Sequence, residues 1–210
     1  MCIRDRDRIV GDAVAVMFSA PLPQADHAQR AIDCAIDMLA FANHYADRIE
    51  AAGGEFGRTR IGVHTGEVIV GNFGGSALFD YRALGDPVNV TARLESANKY
   101  FGTQMSISQQ VLNAASRKPP SRPIGLIVFQ GKSDALEVHA YDDAMGRMGD
   151  WSPLDAYLQA YRALAEGAIP VALERFSALA AAHPNDGLVR FHLTRLRDGV
   201  GHARIELESK

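Results

Sequence analysis

Two cysteines, one tryptophan and no long apolar run are what this 210-residue chain has little of, and each scarcity removes a class of explanation. Cys2 and Cys34 lie far apart, with no His or Cys at metal-ligand spacing beside them. That argues against a disulfide framework or a zinc site and fits a reducing compartment. The longest apolar run, residues 124–129, is interrupted by Gly125 and falls far short of the roughly 20 residues of a membrane span. The charged N-terminus is not followed by the apolar core of a signal peptide. A cytoplasmic location is therefore expected, with any membrane anchor of the whole protein outside this stretch. Excess charge is missing too: 22 Lys and Arg stand against 25 Asp and Glu, a net charge of −3. Nothing general in that balance attracts nucleic acid or an anionic membrane.

What is there is ordinary globular material, 47% hydrophobic and 22% charged. The length suits one good core with a smaller unit appended. The opening MCIRDRDRIVGD alternates Arg and Asp and then enters an apolar strand with no preceding loop or cap. Residues 1–7 are accordingly expected to be non-native or the edge of a truncation, with upstream sequence missing.

Along the chain, residues 9–18 read as two short strands broken at Gly11-Asp12, because the apolar residues are β-branched or small and glycine supplies turn freedom. Residues 24–52 carry Ala28, Ile32, Ala35, Ile36, Leu39 and Ala42 at helical spacing, and Gly53-Gly54 stops that helix. Residues 60–74 are expected to be a strand pair around Thr65-Gly66-Glu67, with glycines where a backbone or ligand approaches closely; Gly71 to Gly75 reads as a turn. A short strand then enters a helix with Asp86 as N-cap and Pro87 as first helical residue, ended by Gly102. A strand over residues 104–108 and a short helix over 109–115 follow, then a hairpin of residues 124–129 and 136–141.

After Asp142 the pattern changes. Helical periodicity occupies residues 153–166, 169–182 and 187–197, and Tyr157, Tyr161, Phe176 and Phe191 are expected in its core while Arg190, Arg195 and Arg197 are expected to be solvated. Helix pairs of this size resemble a tetratricopeptide-like unit, which either packs on the preceding domain or continues an array. The expected division is therefore residues 8–142, a linker at 143–152, and a helical segment at 153–210.

Three places can carry chemistry. Asp12 reads either as a turn residue bonded to its own backbone or as a one-carboxylate Mg²⁺ ligand, which requires a partner. Asn89 and Arg93 lie one helical turn apart on one face near a helix N-terminus that favours anions; Arg offers a planar fork of donors, and Asn both a donor and an acceptor. A solvated face with Arg93 paired to an acidic neighbour is the other reading. His64, between Val63 and Thr65, is expected to be packed or backbone-bonded rather than a metal ligand.

Taken in order, Arg8-x-x-Gly11-Asp12, then Arg60-Ile61-Gly62-Val63-His64-Thr65-Gly66-Glu67-Val68, then Asp80-Tyr81-x-x-x-Gly85-Asp86-x-Val88-Asn89-x-x-x-Arg93-Leu94-Glu95 resembles the catalytic domain of class III adenylate and guanylate cyclases. The resemblance covers about residues 8–142. It implies an α/β (α+β) fold of ferredoxin-like topology, followed here by the small helical appendage. It also implies two Mg²⁺ or Mn²⁺ ions per active site, held by two carboxylates of which Asp12 matches the second; the first belongs to an N-terminal strand motif that this chain does not contain. Asn89 matches the residue that orients the ribose, and Arg93 the one that stabilises charge on the α-phosphate. Lys132 is placed by the same likeness against the triphosphate, with Gln130 standing where a neighbouring Lys is common.

Arg8 and Arg82 fall at the two base-reading positions and depart from the family's usual residues; these residues do not decide the base, and ATP is expected over GTP because adenylate cyclases are common among soluble chains of this type. The implied assembly is a homodimer with shared sites, no nucleic-acid partner is implied, and the helical tail is free to contact another protein or domain. The chain by itself is expected to be close to inactive. The alternatives are a silent nucleotide-binding regulatory module or an interaction scaffold built on the helical tail.

Overall fold

The computed structural model describes residues 6–75, 78–142 and 151–207, and for residues 6–10, 74, 75 and 78–80 it describes the backbone alone. Cys2 and most of the expected linker lie outside the described residues, as do the side chains of Arg8 and Asp80. The first strands, β1 (Arg6–Val10) and β2 (Ala13–Val16), form an antiparallel hairpin that turns at Gly11-Asp12. The helix α1 (His27–Ala51) follows, its buried Ala28, Ile32, Ala35, Leu39, Asn43 and Ala46 recurring at three- and four-residue intervals.

A five-stranded sheet is the frame of the molecule. Its order is β3 (Ile61–Val63), β6 (Met105–Ser108), β8 (Leu136–Tyr141), β7 (Ser121–Phe129) and β9 (Arg204–Leu207). β3 runs parallel to β6 and β9 parallel to β7, while β8 is antiparallel to both of its neighbours. A separate antiparallel ribbon joins β4 (Ile69–Gly75) to β5 (Leu78–Leu84), which leads into α2 (Asp86–Phe101). The short α3 (Gln109–Ala114) follows β6; the helices α4 (Leu154–Ala165), α5 (Ile169–Ala182) and α6 (Gly187–Arg197) precede β9.

Alternation along the strands assigns the layers. Val63, Met105 and Ile107 meet α1 and α3 in one hydrophobic cluster. The intervening Gly62 and Ser106 face α2: a Cβ on Gly62 would stand 2.4 Å from the carbonyl oxygen of Thr91, and Ser106 Oγ donates to Asn98 Oδ1 at 2.8 Å. Small residues on this face let α2 lie directly on the sheet. Val90, Leu94, Ala97 and Phe101 of α2 share a second, larger cluster with Ile124, Ile127, Val138, Tyr157, Ala172, Phe176, Leu188, Val189 and Ile205. Residues after 153 therefore lie in the same hydrophobic core as α2 and β7. Among the described residues no helix is long and apolar enough to cross a membrane.

The structure departs from the sequence expectations in particular places. β3 and β4 do not pair with each other; β3 is a strand of the main sheet beside β6, and β4 pairs with β5. The five residues between them pass over α2, where a Cβ on Gly66 would come within 2.5 Å of Pro87 Cγ. Gly71 to Gly75 is strand rather than turn, because β5 supplies partners in register from Gly71 opposite Arg82 to Gly75 opposite Leu78. Asp86 is the first residue of α2 and does not cap it; Gly85 stands at the cap position and Pro87 is second. β9 was not foreseen, its only signal being the four-residue alternation Arg204-Ile205-Glu206-Leu207.

Candidate nucleotide site

Asn89 and Arg93 are both exposed on one face of α2, while Val90 and Leu94 of the same two turns are buried. The helix is thus held by its apolar stripe and offers a polar pair outward. Arg93 is not paired with an acidic neighbour among the described residues. One of its terminal guanidinium nitrogens donates to the carbonyl oxygen of Gln130 at 2.9 Å, and the group lies 5.9 Å from the Phe129 ring centroid.

Phe129 ends β7, and Gln130 opens the loop between β7 and β8. The loop also carries Lys132, whose backbone N–H closes a turn on the Phe129 carbonyl at 2.9 Å and whose ammonium is ion-paired with Asp86 at the start of α2. The structure therefore lays the β7–β8 loop along the N-terminal half of α2, with Lys132 at Asp86 and the Gln130 carbonyl at Arg93. Two exposed cations held by a carbonyl and one carboxylate form a surface suited to an anion with several oxygens. Asp86 and the Gln130 carbonyl were not foreseen as members. The Gly85-Asp86-Pro87 helix start is the only sequence signal for the first, and none exists for the second.

The other expected residues stand apart from this group. Asp12 is exposed at the hairpin turn between β1 and β2, after Gly11 at a φ of 62°, and no hydrogen bond or ion pair joins it to α2 or the β7–β8 loop. Arg8 lies on β1 opposite Ala15, its side chain outside the described residues. Arg82, on β5, has its guanidinium 5.4 Å from the Phe73 ring centroid, and its Nε is buried without a hydrogen-bond partner among the described residues. Its planar group is engaged with a ring of the same ribbon. Among the described residues no three His, Cys, Asp or Glu side chains gather as a cation would require. Asp12 by itself does not make a two-ion centre.

His64 sits at the end of β3, half-buried, with Nδ1 2.9 Å from Ser108 Oγ. Burial pushes its pKa below the ordinary value, opposed by the negative charge of Asp86. This is a half-buried imidazole whose described partner is the Ser108 side chain rather than backbone.

A second polar cluster was missed altogether. Arg122 on β7, 1% exposed, donates from Nε to Asp142 Oδ2 at 3.1 Å and from a terminal nitrogen to Asp186 Oδ2 at 2.7 Å, and bonds the hydroxyl and carbonyl of Ser152. It also lies 4.3 Å from the Trp151 ring and 5.0 Å from that of Tyr157. Asp186 in turn caps α6, its Oδ1 accepting from the backbone of Val189 at 3.2 Å. Nothing in the local sequence Ser121-Arg122-Pro123 marks an arginine for burial. The cluster ties the sheet to the helical unit and lies away from the loop holding Lys132. Arg195, expected in solvent, donates instead to the carbonyls of His202 and Arg204 and so fixes the approach to β9.

Residues 6–135 match the family described as adenylate and guanylate cyclase catalytic domain. The chain is 36% identical to Adenylate cyclase 1 of Rhizobium meliloti (strain 1021) over 129 residues, 61% of this chain and 19% of that protein. It is 28% identical to an adenylate cyclase of Anabaena cylindrica over 141 residues, 63% of this chain and 27% of that one. The chain thus spans between a fifth and about a quarter of the length of these curated relatives. Among solved structures, it resembles the adenylyl cyclase CyaB from P. aeruginosa at a TM-score of 0.58 and 29% identity, covering 68% of this chain and 72% of that one. It also resembles the guanylyl cyclase Cya2 at a TM-score of 0.53 and 30% identity, covering 64% and 68%.

Proposed function

Because the chain belongs to the adenylate and guanylate cyclase catalytic-domain family, we propose that it serves a nucleotide cyclase that converts ATP, or GTP, to the 3′,5′-cyclic nucleotide and pyrophosphate. In this reaction the ribose 3′-hydroxyl loses its proton and bonds to the α-phosphorus, and the bond from that phosphorus to the bridging oxygen of pyrophosphate breaks. The observation that carries the reading is the exposed Asn89 and Arg93 pair on α2 with Lys132 across from it in the β7–β8 loop. Asn89 orients the ribose. Arg93 leaves the Gln130 carbonyl for the α-phosphate oxygens, whose charge grows in the transition state. Lys132 exchanges Asp86 for the triphosphate.

Divalent cations, Mg²⁺ or Mn²⁺, two per site in this proposal, would lower the pKa of the 3′-hydroxyl and neutralise the phosphates. Asp12 contributes one carboxylate from the exposed hairpin turn; as the described residues offer no cluster around it, no step is assigned to the ions. The reading includes a homodimer in which the hairpin carrying Asp12 in one copy faces the Asn89 and Arg93 helix of the other. The domain division at residues 143–152 and the tetratricopeptide-like character of α4 to α6, with a protein contact on that unit, belong to the same proposal.

Base choice is placed at Arg8 and Arg82, and ATP is favoured. The position of Arg82 over Phe73 supports a second reading, a silent nucleotide-binding module, since a guanidinium held there has to leave its ring to meet a purine.

The test is complementation. Asp12→Ala and Arg93→Ala proteins, made in the reading frame extended upstream, are each inactive with Mn²⁺ and ATP or GTP, and mixing them restores cyclic nucleotide formation at one of the two sites of each heterodimer. No activity on mixing, with the unsubstituted protein active, overturns the shared site. No activity in the unsubstituted protein, with triphosphate still bound, favours the silent module. The 210-residue chain assayed alone is expected to be close to inactive; robust turnover by it would refute that expectation.

A further inference from the structure

The helix carrying Asn89 and Arg93 is seated at three points by glycines, each placed where a Cβ would collide with backbone or ring atoms. At its start, Gly66 abuts Pro87; at its middle, a Cβ on Gly62 would stand 2.4 Å from the Thr91 carbonyl oxygen and 2.6 Å from the Glu95 nitrogen. At its end, Gly102 closes the helix at a φ of 67° and meets Gly187, the first residue of α6. There a Cβ on Gly187 would come within 2.5 Å of the Gly102 oxygen and 2.7 Å of its Cα. The first two seats lie in the strand motif shared with the cyclase family. The third is supplied from beyond residue 135, where the family match ends. The seam around it is apolar and tight: Phe101 is fully buried with its ring 5.2 Å from that of Phe191, edge to face.

We propose that Gly187 is a positioning residue for the nucleotide site: through the Gly102 contact the C-terminal helical unit sets the height of α2 over the sheet, and with it the places of Asn89 and Arg93. The proposal rests on the reading of those two residues as catalytic. A helix is stiff along its axis, so lifting one end tilts the other. Gly62 in the middle leaves no slack for the strain to be absorbed. An error of about 1 Å in a catalytic group far from the substitution is enough to cost up to roughly 100-fold in rate. Because Arg93 acts on charge that develops during reaction, the loss falls on kcat more than on KM.

Gly187→Ala isolates the contact. Gly187 lies outside the left-handed region, and alanine is the better helix former, so α6 itself is not weakened; the three atoms nearest to the added methyl all belong to Gly102. Gly167→Ala is the control. It strains a φ of 77° in the α4–α5 turn and has nothing within 4 Å, so it loosens the helical unit without touching α2. The first readout needs no turnover: the methyl NMR signals of Val90 and Leu94 in the 210-residue chain. The second is kcat and KM for ATP or GTP in the protein extended upstream.

Gly187→Ala is expected to move both methyl groups' signals and to lower kcat by about 10-fold or more with KM within about 3-fold, while Gly167→Ala does neither. Unmoved signals with Gly187→Ala, or the same response to both substitutions, overturn the proposal. If Gly187→Ala does not fold, Phe191→Leu, which removes the edge contact without adding bulk, is judged by the same criteria. If the parent protein makes no cyclic nucleotide, the cyclase reading falls, and the methyl signals still decide whether Gly187 positions α2.

Discussion

Replacing Arg122 by methionine should destabilise the protein strongly. The guanidinium is 1% exposed, and the two carboxylates it serves, Asp142 and Asp186, are 2% and 0% exposed. Methionine fills most of the volume but leaves both acids buried without a countercharge, and it removes the donors to the Ser152 hydroxyl and carbonyl. Removing one partner of a buried ion pair costs ~3–5 kcal/mol. In a domain of this size, each kcal/mol lowers the melting temperature by about 2–4 °C, so the fall is expected at roughly 6–20 °C. The assay has a built-in probe, since Trp151 is the chain's one tryptophan and lies 4.3 Å from the guanidinium. Its fluorescence in urea titrations should follow the same transition as far-UV circular dichroism. Adding Asp142→Asn and Asp186→Asn to Arg122→Met should recover part of the loss, because the charges stranded by the first change are then gone. A loss below about 1 kcal/mol for Arg122→Met, within the range of an exposed pair, would refute the claim that this cluster locks the helical unit to the sheet.

Further outcomes concern the buried histidine and the site. His192 is fully buried among the rings of Tyr157, Tyr161, Phe176 and Phe191, neither ring nitrogen has a hydrogen-bond partner among the described residues, and burial pushes its pKa down to about 3. The folded value lies below the unfolded one, so the unfolded chain binds the extra proton: stability is full above pH 6.5 and is lost as pH falls toward 3, at up to ~1.4 kcal/mol per pH unit. His192→Phe should flatten that slope in urea titrations between pH 6.5 and 4, leaving the smaller contributions of His64 and His139, which are shifted in the same direction; an unchanged slope would contradict the burial account. Arg93→Ala should leave stability within ~1 kcal/mol, since it removes one exposed bond to the Gln130 carbonyl. In an active protein it should lower kcat by roughly 10²–10³-fold, and a variant that retains full turnover would remove Arg93 from the chemistry.

How far the sequence could be read depended on whether a signal was local. The helix α1 followed from its apolar spacing and the Gly53-Gly54 stop, and α2 from Gly85-Asp86-Pro87 at one end and Gly102 at the other. The β7–β8 hairpin followed from two apolar runs across Gly131. Pairing was less accessible. That β3 belongs beside β6, and β4 beside β5, depends on which distant strand is free to complete each backbone, and residues 60–74 do not contain that choice. Asp before Pro at a helix start has the pattern of a cap, but the Asp86 carboxylate pairs with Lys132, forty-six positions on.

By itself the sequence determined the periodicities, the helix ends, the outward pair Asn89 and Arg93, and the ordered motifs that resemble a cyclase, because each is written within a few turns or strands of chain. Tertiary structure alone decided what stands across from those residues: Gln130 and Lys132 beside α2, Phe73 under Arg82, and Arg122 between two acids far apart in the chain. It also decided that the C-terminal helices share α2's core and that β9 closes the sheet edge. The physical reason is the same in each case. Burial and close approach are properties of two surfaces meeting, and a glycine such as Gly187 carries no mark of the Gly102 it touches until both are in place.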